Sequence, residues 1–401
     1  MATTPQNSSS VTVNYWAFIA FMVALSAFGS FVNDMYTPSL PAMTDYFHCS
    51  PSTSQLGLTF GMIGLSIGQI ILGPLSDKLG RKPVLLMSMA TFLLAAVVSI
   101  FSPTIHFFLW CRLVQGVGAS GGYFMARTMP ADVFGGRELA KVMAIIGAIN
   151  GFAPACAPVL GGIIADAWGW RAVFVTLSII AVILLLLIPR MKETLPVAKR
   201  FKGSFWQSFS TYPKLLRNYR FMIHVLLKGA ALGLLFAYIS SATFIMQRHY
   251  GFSQTHYGLT VGANSLIVAV GATLALRFKL LKNAAVVGAV LLTGVIAMLA
   301  WFLWHDCSFL TYELLLLAML FCLGMIFTAS NTLAMNEGRQ EAGVASAILG
   351  VGGYLFGAVV SPLVGHGNIM HSTAIVFAAV TALILISAIL TARIPPDLNQ
   401  S

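Results

Sequence analysis

The chain has 401 residues, of which 58% are hydrophobic and only 9% charged, where soluble domains run to roughly 45–50% and about 25%. That composition excludes a soluble globular protein. At about 20 apolar residues per membrane-spanning helix, twelve spans and their connections use up the length and leave no room for a sizeable soluble domain. The formal charge is +11, from 23 Lys and Arg against 12 Asp and Glu, and such an excess points to nucleic acid only where it forms a patch or stripe.

Residues 1–14 form a polar tail, and its first 13 residues carry no Lys or Arg. The apolar stretch that follows is too long for a signal-peptide core and has no small-residue cleavage site, so the first helix is expected to stay in the mature protein. Apolar runs predict helices over 15–41, 54–75, 83–102, 107–128, 140–164 and 171–189. A second group follows over 221–246, 256–276, 283–304, 312–334, 341–364 and 372–392. The expectation is an all-α polytopic membrane protein with bundles over 15–189 and 221–392, a basic linker over 190–220 and a tail over 393–401.

With the N-terminus on the cytoplasmic side, 18 of the 23 Lys and Arg fall in cytoplasmic connections, eight of them in the central linker. The excess is therefore an orientation signal, favouring contact with anionic lipid and both termini in the cytoplasm, and nucleic acid has no support. Five cysteines at irregular spacing, with no CxxC and no Cys/His cluster, suggest neither a disulfide framework nor a metal site.

Charge inside a span costs at least about 2.5–3.5 kcal/mol and marks a functional candidate. Asp34 is expected to be the one acid within a span, the others falling in loops or at span ends. Ser26, Ser30, Asn33, Asp34 and Thr37 share one face of helix 1, which points to a cavity or another helix. Arg112 on helix 4 lies at the same depth, so a contact with Asp34, direct or through water, is possible. A salt bridge that only packs the first bundle is the competing account. Arg220, His224 and Lys228 follow at intervals of four, and Lys228 is expected to snorkel to the surface, with Arg127 interfacial.

Gly73-Pro74-Leu75-Ser76-Asp77-Lys78-Leu79-Gly80-Arg81-Lys82-Pro83 joins helices 2 and 3. Gly73 allows close approach, Gly80 a tight turn, Asp77 can accept from a helix N-terminus, and Arg81 and Lys82 supply donors. This string resembles the hallmark loop of the major facilitator superfamily at nearly every defined position. Arg112 to Ala119, with Gln115 and Gly116, is similar to that family's helix 4 motif. Pro154 to Gly162, with Pro158, Gly161 and Gly162, resembles its helix 5 antiporter signature, with Ala157 where a Gly is usual. Asn33 to Pro41, Gly169-Trp170-Arg171 and Phe236 to Ser240 look like the Bcr/CflA drug:proton antiporters.

The resemblance implies two six-helix bundles around a central cavity and proton-driven export of small amphipathic molecules by alternating access in the bacterial inner membrane, without a cofactor. It makes Asp34 and Arg112 the embedded charge pair, with Asp77 and Arg81 as a conformational latch. Tyr36, Tyr123, Phe236 and Tyr238 are candidates to line the cavity, as is Gln115. The partners expected are a small-molecule substrate, protons and the bilayer, with the monomer as working unit. A metabolite exporter or symporter on the same fold is the alternative. A membrane enzyme or receptor would need a catalytic constellation or a ligand domain. Gly64-Leu65-Ser66-Ile67-Gly68 and the Gly116, Gly118, Gly121 series mimic enzyme motifs, but both lie inside apolar helices, where small residues serve packing.

Overall fold

The computed structural model describes residues 15–203, 207, 209 and 212–394. The expected tails, 1–14 and all of 393–401 beyond residue 394, lie outside them. Twelve long helices are present among the described residues. The first six are α1 (Tyr15–Asp34), α2 (Pro51–Leu79), α3 (Arg81–Ile100), α4 (Ile105–Val133), α5 (Gly136–Trp168) and α6 (Trp170–Leu187). The rest are α7 (Tyr219–Phe244), α8 (Gln254–Ala275), α9 (Leu281–His305), α10 (Phe309–Glu337), α11 (Ala342–Val360) and α12 (Ile369–Arg393). Eleven are long and apolar enough to cross a membrane by length and composition. The exception, α4, carries Arg112, Gln115, Arg127 and a run of glycines, and is packed against α2 and α3.

The helices begin where polar side chains can take the unpaired N–H groups of a first turn. Ser50, Thr104, Ser253 and Ser308 accept from the backbone three residues on, and Asn218 and Asn368 cap α7 and α12; each such cap is worth about 1 kcal/mol. These caps start α2 at Pro51 and α4 at Ile105, ahead of the expected 54 and 107, and at their other ends α2 reaches Leu79 and α4 reaches Val133, beyond the expected 75 and 128. The first helix departs the other way. Instead of running to residue 41, α1 stops at Asp34, and the chain passes through a tight turn at Thr37–Ser39 into a short helix, Leu40–Tyr46. Pro38 and Pro41 lack the N–H that an unbroken helix needs, and the Thr37 hydroxyl donates to the Asp34 carbonyl at 2.8 Å.

Apolar side chains gather in one large core from α1–α6 and another from α7–α12, with Phe236, Phe244 and Ala358 reaching into the first. The two bundles meet firmly at the end away from the linker. There the Gln55 amide donates to Ser240 O at 3.1 Å, Thr59 to Ala358 O at 2.7 Å, and Thr243 to Thr37 O at 2.9 Å. Asp166 at the end of α5 accepts from the backbone N–H groups of Gln254 and Thr255 at the start of α8, where a carboxylate meets the positive end of a helix. Close packing continues down α5 and α8, Gly162 against the Gln254 carbonyl and Gly258 against that of Pro158. Toward the linker this α5–α8 contact is lost, and Gly151 and Gly147 of α5 face open space, while α2 and α11 stay together as far as Gln69 and Gly350. The bundles are thus shut against each other at the far end and part on the α5 side toward the linker.

Candidate functional site

Asp34 closes the blind end of that opening. It is half-buried as the last residue of α1, accepts from the Asn33 amide at 3.0 Å, and among the described residues has no cation within ion-pair distance. Of its companions on the helix, Ser30 is half-buried, whereas Ser26 is buried and donates to Asn150 of α5 at 2.5 Å. Thr37 lies in the seam between the bundles.

Arg112 is fully buried and does not reach Asp34 with a direct hydrogen bond. Its guanidinium donates to the carbonyls of Val32 at 3.1 Å and Gly57 at 3.4 Å and to Gln115 at 2.6 Å, and it lies 4.3 Å from the centre of the Tyr36 ring. Glycines make room for it: a Cβ on Gly61 would sit 2.9 Å from the guanidinium. Gln115 passes the chain on to Ser99 and the Ala95 carbonyl of α3. Arg112, Gln115 and Tyr36 therefore belong to the interior of the first bundle, directly behind Asp34, and neither Tyr36 nor Gln115 lines the opening. Tyr238 is likewise buried inside the second bundle, accepting from Asn264 at 3.1 Å. Phe236 packs on Tyr354 of α11 with ring centres 6.1 Å apart, in the seam where Gly357 and Met62 also meet.

Tyr123 is half-buried, packed on Gly29 of α1, with the Arg127 guanidinium 4.4 Å from its ring centre and bonded to its hydroxyl at 2.6 Å. Lys228 does not snorkel: its ammonium donates to Asn331 of α10 at 2.7 Å. Arg127 of the first bundle lies within electrostatic reach of it. Nor is Asp34 the one acid drawn into the helices, since Glu313 is half-buried on α10 beside Asn264 and Tyr238. Arg127, Lys228, Asn331 and Tyr354 were missed as a group because an i, i+4 stripe does not say whether it faces lipid or protein. Tyr354 had a signal in the Gly350, Gly352, Gly353, Gly357 series around it, which marks close helix contact.

The loop between α2 and α3 is a network inside the first bundle. Gly80 adopts φ +105°, a conformation suited to glycine, and Gly73 packs on Phe124. Arg81 donates to Asp77 and Ser76 at 2.6 Å and to Asp132 at the end of α4 at 2.9 Å. The N-terminus of α3 is capped by Glu193 of the linker, through Arg81 N at 2.9 Å and Lys82 N at 3.2 Å, and not by Asp77. Lys82 also donates to the Pro189 carbonyl at 2.8 Å.

On α5, Pro154 and Pro158 are accommodated without ending the helix, and Gly161 packs against the Met35 carbonyl where α1 breaks. Gly64 and Gly116, from the two enzyme-like strings, pack on each other where α2 crosses α4. All five cysteines are free, and among the described residues no three His, Cys, Asp or Glu side chains come together in a metal-holding group.

Twelve long helices among the described residues, packed in two bundles of six, are the architecture of a membrane transporter. The family model described as Major Facilitator Superfamily matches residues 17–362, and the chain belongs to that family. It is 37% identical over 376 residues to the uncharacterized MFS-type transporter YdgK of Bacillus subtilis (strain 168), covering 89% of this chain and 93% of that one. It is 26% identical over 324 residues to the multidrug resistance protein MdtL of Salmonella paratyphi C (strain RKS4594), covering 79% of this chain and 80% of that one. Among solved structures, a D-xylose-proton symporter superposes with a TM-score of 0.73 over 96% of this chain and 99% of its own at 17% identity, a likeness of fold alone.

Proposed function

We propose that the chain exports small amphipathic molecules in exchange for protons, as a monomer in a bacterial inner membrane with both termini in the cytoplasm. In this reading the linker end faces the cytoplasm and the structure is the inward-facing state. The observation that carries it is the position of Asp34, a half-buried carboxylate that among the described residues has no ion-pair partner, at the blind end of the opening. A group so placed exchanges protons with whichever side the bundles open to, so that one movement of the bundles can carry proton and substrate in opposite directions. Arg112 lies behind it and tunes its charge, and Ser30, Asn33 and Tyr123 complete the wall. The helix 5 pattern at Pro158, Gly161 and Gly162 supports exchange over import, and the likeness to a multidrug resistance protein supports drug-like substrates.

The experiment is proton release from purified protein in lightly buffered detergent, across a panel of drugs and metabolites. A substrate of the antiporter displaces protons from the wild type and not from Asp34→Asn. Substrate binding with no proton release in the wild type overturns the reading.

A further inference from the structure

The gap between the bundles is richer in positive charge than its acid accounts for. Arg127 stands six residues before the linker-side end of α4, and Lys228 nine residues after the linker-side start of α7, about 9 and 14 Å in at 1.5 Å per residue. They come from opposite bundles, one on α4 and one on α7, within electrostatic reach of each other. Among the described residues neither has a carboxylate within 4 Å. What holds them is neutral: Asn331 for Lys228, and the Tyr123 ring and hydroxyl for Arg127. Asp34 lies deeper, at the blind end, and Arg112 is committed to carbonyls and Gln115.

Beside the two cations lie apolar and aromatic surfaces. Tyr354 of α11 is half-buried within electrostatic reach of Tyr123, Asp34 and Arg127, and stacks toward Phe236. We propose that this is an anion site shared between the bundles, and that the substrates are amphipathic organic anions. The charged head lies between Lys228 and Arg127 and the apolar body against Tyr123 and Tyr354. Two like charges on opposed bundles resist closure of the linker end, and an anion between them turns that repulsion into attraction on both sides. Substrate charge would then promote the very movement that carries it across. This deepens the export reading and rests on it for direction, though binding can be tested without transport.

The test is binding to the full-length purified protein in detergent, by calorimetry at two salt concentrations. The probes are three compounds with one naphthylalkyl body, ending in a carboxylate, a primary amide or a primary amine. The carboxylate is expected to bind about tenfold tighter than the amide, as one charge-assisted contact allows, with the preference shrinking at high salt. Lys228→Gln and Arg127→Gln should each bring the carboxylate to the level of the amide, while Lys228→Arg keeps the preference. Thermal melting checks that each variant is folded.

A carboxylate bound no better than the amide or amine, a preference that survives both Gln variants, or no binding of any of the three overturns the proposal. A carboxylate preference without pH-driven transport of that compound in proteoliposomes leaves the anion site standing and removes the export reading.

Discussion

The two bundles repeat one architecture and fill it with different chemistry. α1 opens at Tyr15 and α7 at Tyr219, and α4 at Ile105 and α10 at Phe309, the same spacing of 204; for α2 at Pro51 and α8 at Gln254 it is 203. At these spacings Tyr238 stands where the first bundle has Asp34, Leu316 where it has Arg112, and Asn264 where it has Gly61. In the first bundle a buried guanidinium fills the space that Gly61 leaves and takes the carbonyls of Val32 and Gly57. In the second, Asn264 fills that space and bonds to the Tyr238 hydroxyl, with Leu316 fully buried beside them. A buried cation needs a hole and several acceptors, while a neutral network needs only its own pairs. The first bundle therefore buries a full charge among backbone acceptors, whereas at the equivalent positions the second has a neutral pair with the Glu313 carboxyl beside it.

The largest expected effect follows from exchanging Asp34 for its neutral isostere. Asp34→Asn should bring pH-driven efflux from proteoliposomes down to background while the protein stays folded and inserted. At the equivalent place Tyr238→Phe removes one neutral hydrogen bond, worth about 1 kcal/mol, and should leave efflux within about fivefold of wild type. Equal losses from the two substitutions would break the comparison, and full activity of Asp34→Asn would remove the coupling role.

Next in size is the attempt to write the second bundle's solution into the first. Arg112→Leu copies Leu316 but orphans acceptors that Arg112 now satisfies, at a cost of roughly 3 kcal/mol or more. Gly61→Asn copies Asn264 and drives a side chain into the guanidinium, whose nearest nitrogen is 2.9 Å from a Cβ at that position. Both should lower the melting temperature in detergent, and the pair together should cost less than the sum of the two, because the introduced asparagine then has room and carbonyls nearby to bond. Strict additivity would show that the two positions do not share the space.

Much of this was legible in the residues. Helix number and the 73–83 turn follow from apolar runs and one specific string, and Asp34 stands out because charge is rare in such helices. The break after Asp34 had its signal in Pro38 and Pro41, yet an apolar run continues across it. Which way a polar residue turns about its helix axis was not legible. Gln115, Tyr36 and Tyr238 face their own bundle, and Lys228 faces the gap, for reasons that lie on neighbouring helices: Ser99 and Ala95 for Gln115, Asn331 for Lys228. Hydropathy sees composition along one helix, and these partners lie 16 to 103 residues away.

The smallest effect concerns the turn after the second helix of each bundle. In the first, Asp77 and Arg81 form an ion pair; in the second, Leu280 and Ala284 stand at those places, and the turn keeps only its basic residues, Arg277, Lys279 and Lys282. The Asp77 side chain is half exposed, whereas that of Arg81 is nearly buried and also bonded to Ser76 and Asp132. Removing the acid therefore leaves the cation well held, and exposed pairs contribute about 0–1 kcal/mol. The network ties α2, α3, α4 and the linker to each other, through Glu193 and through the Phe201 N–H on the Asp77 carbonyl, and in this state not to the second bundle. Asp77→Ala should accordingly shift the balance between the two open states by no more than about fivefold, the equivalent of about 1 kcal/mol, read as the labelling of single cysteines placed at the linker end and at the far end. Asp132→Ala takes two of Arg81's contacts and should shift it further. Identical labelling in both variants and the wild type would leave the turn as a structural clasp on the linker with no hold on the transport states.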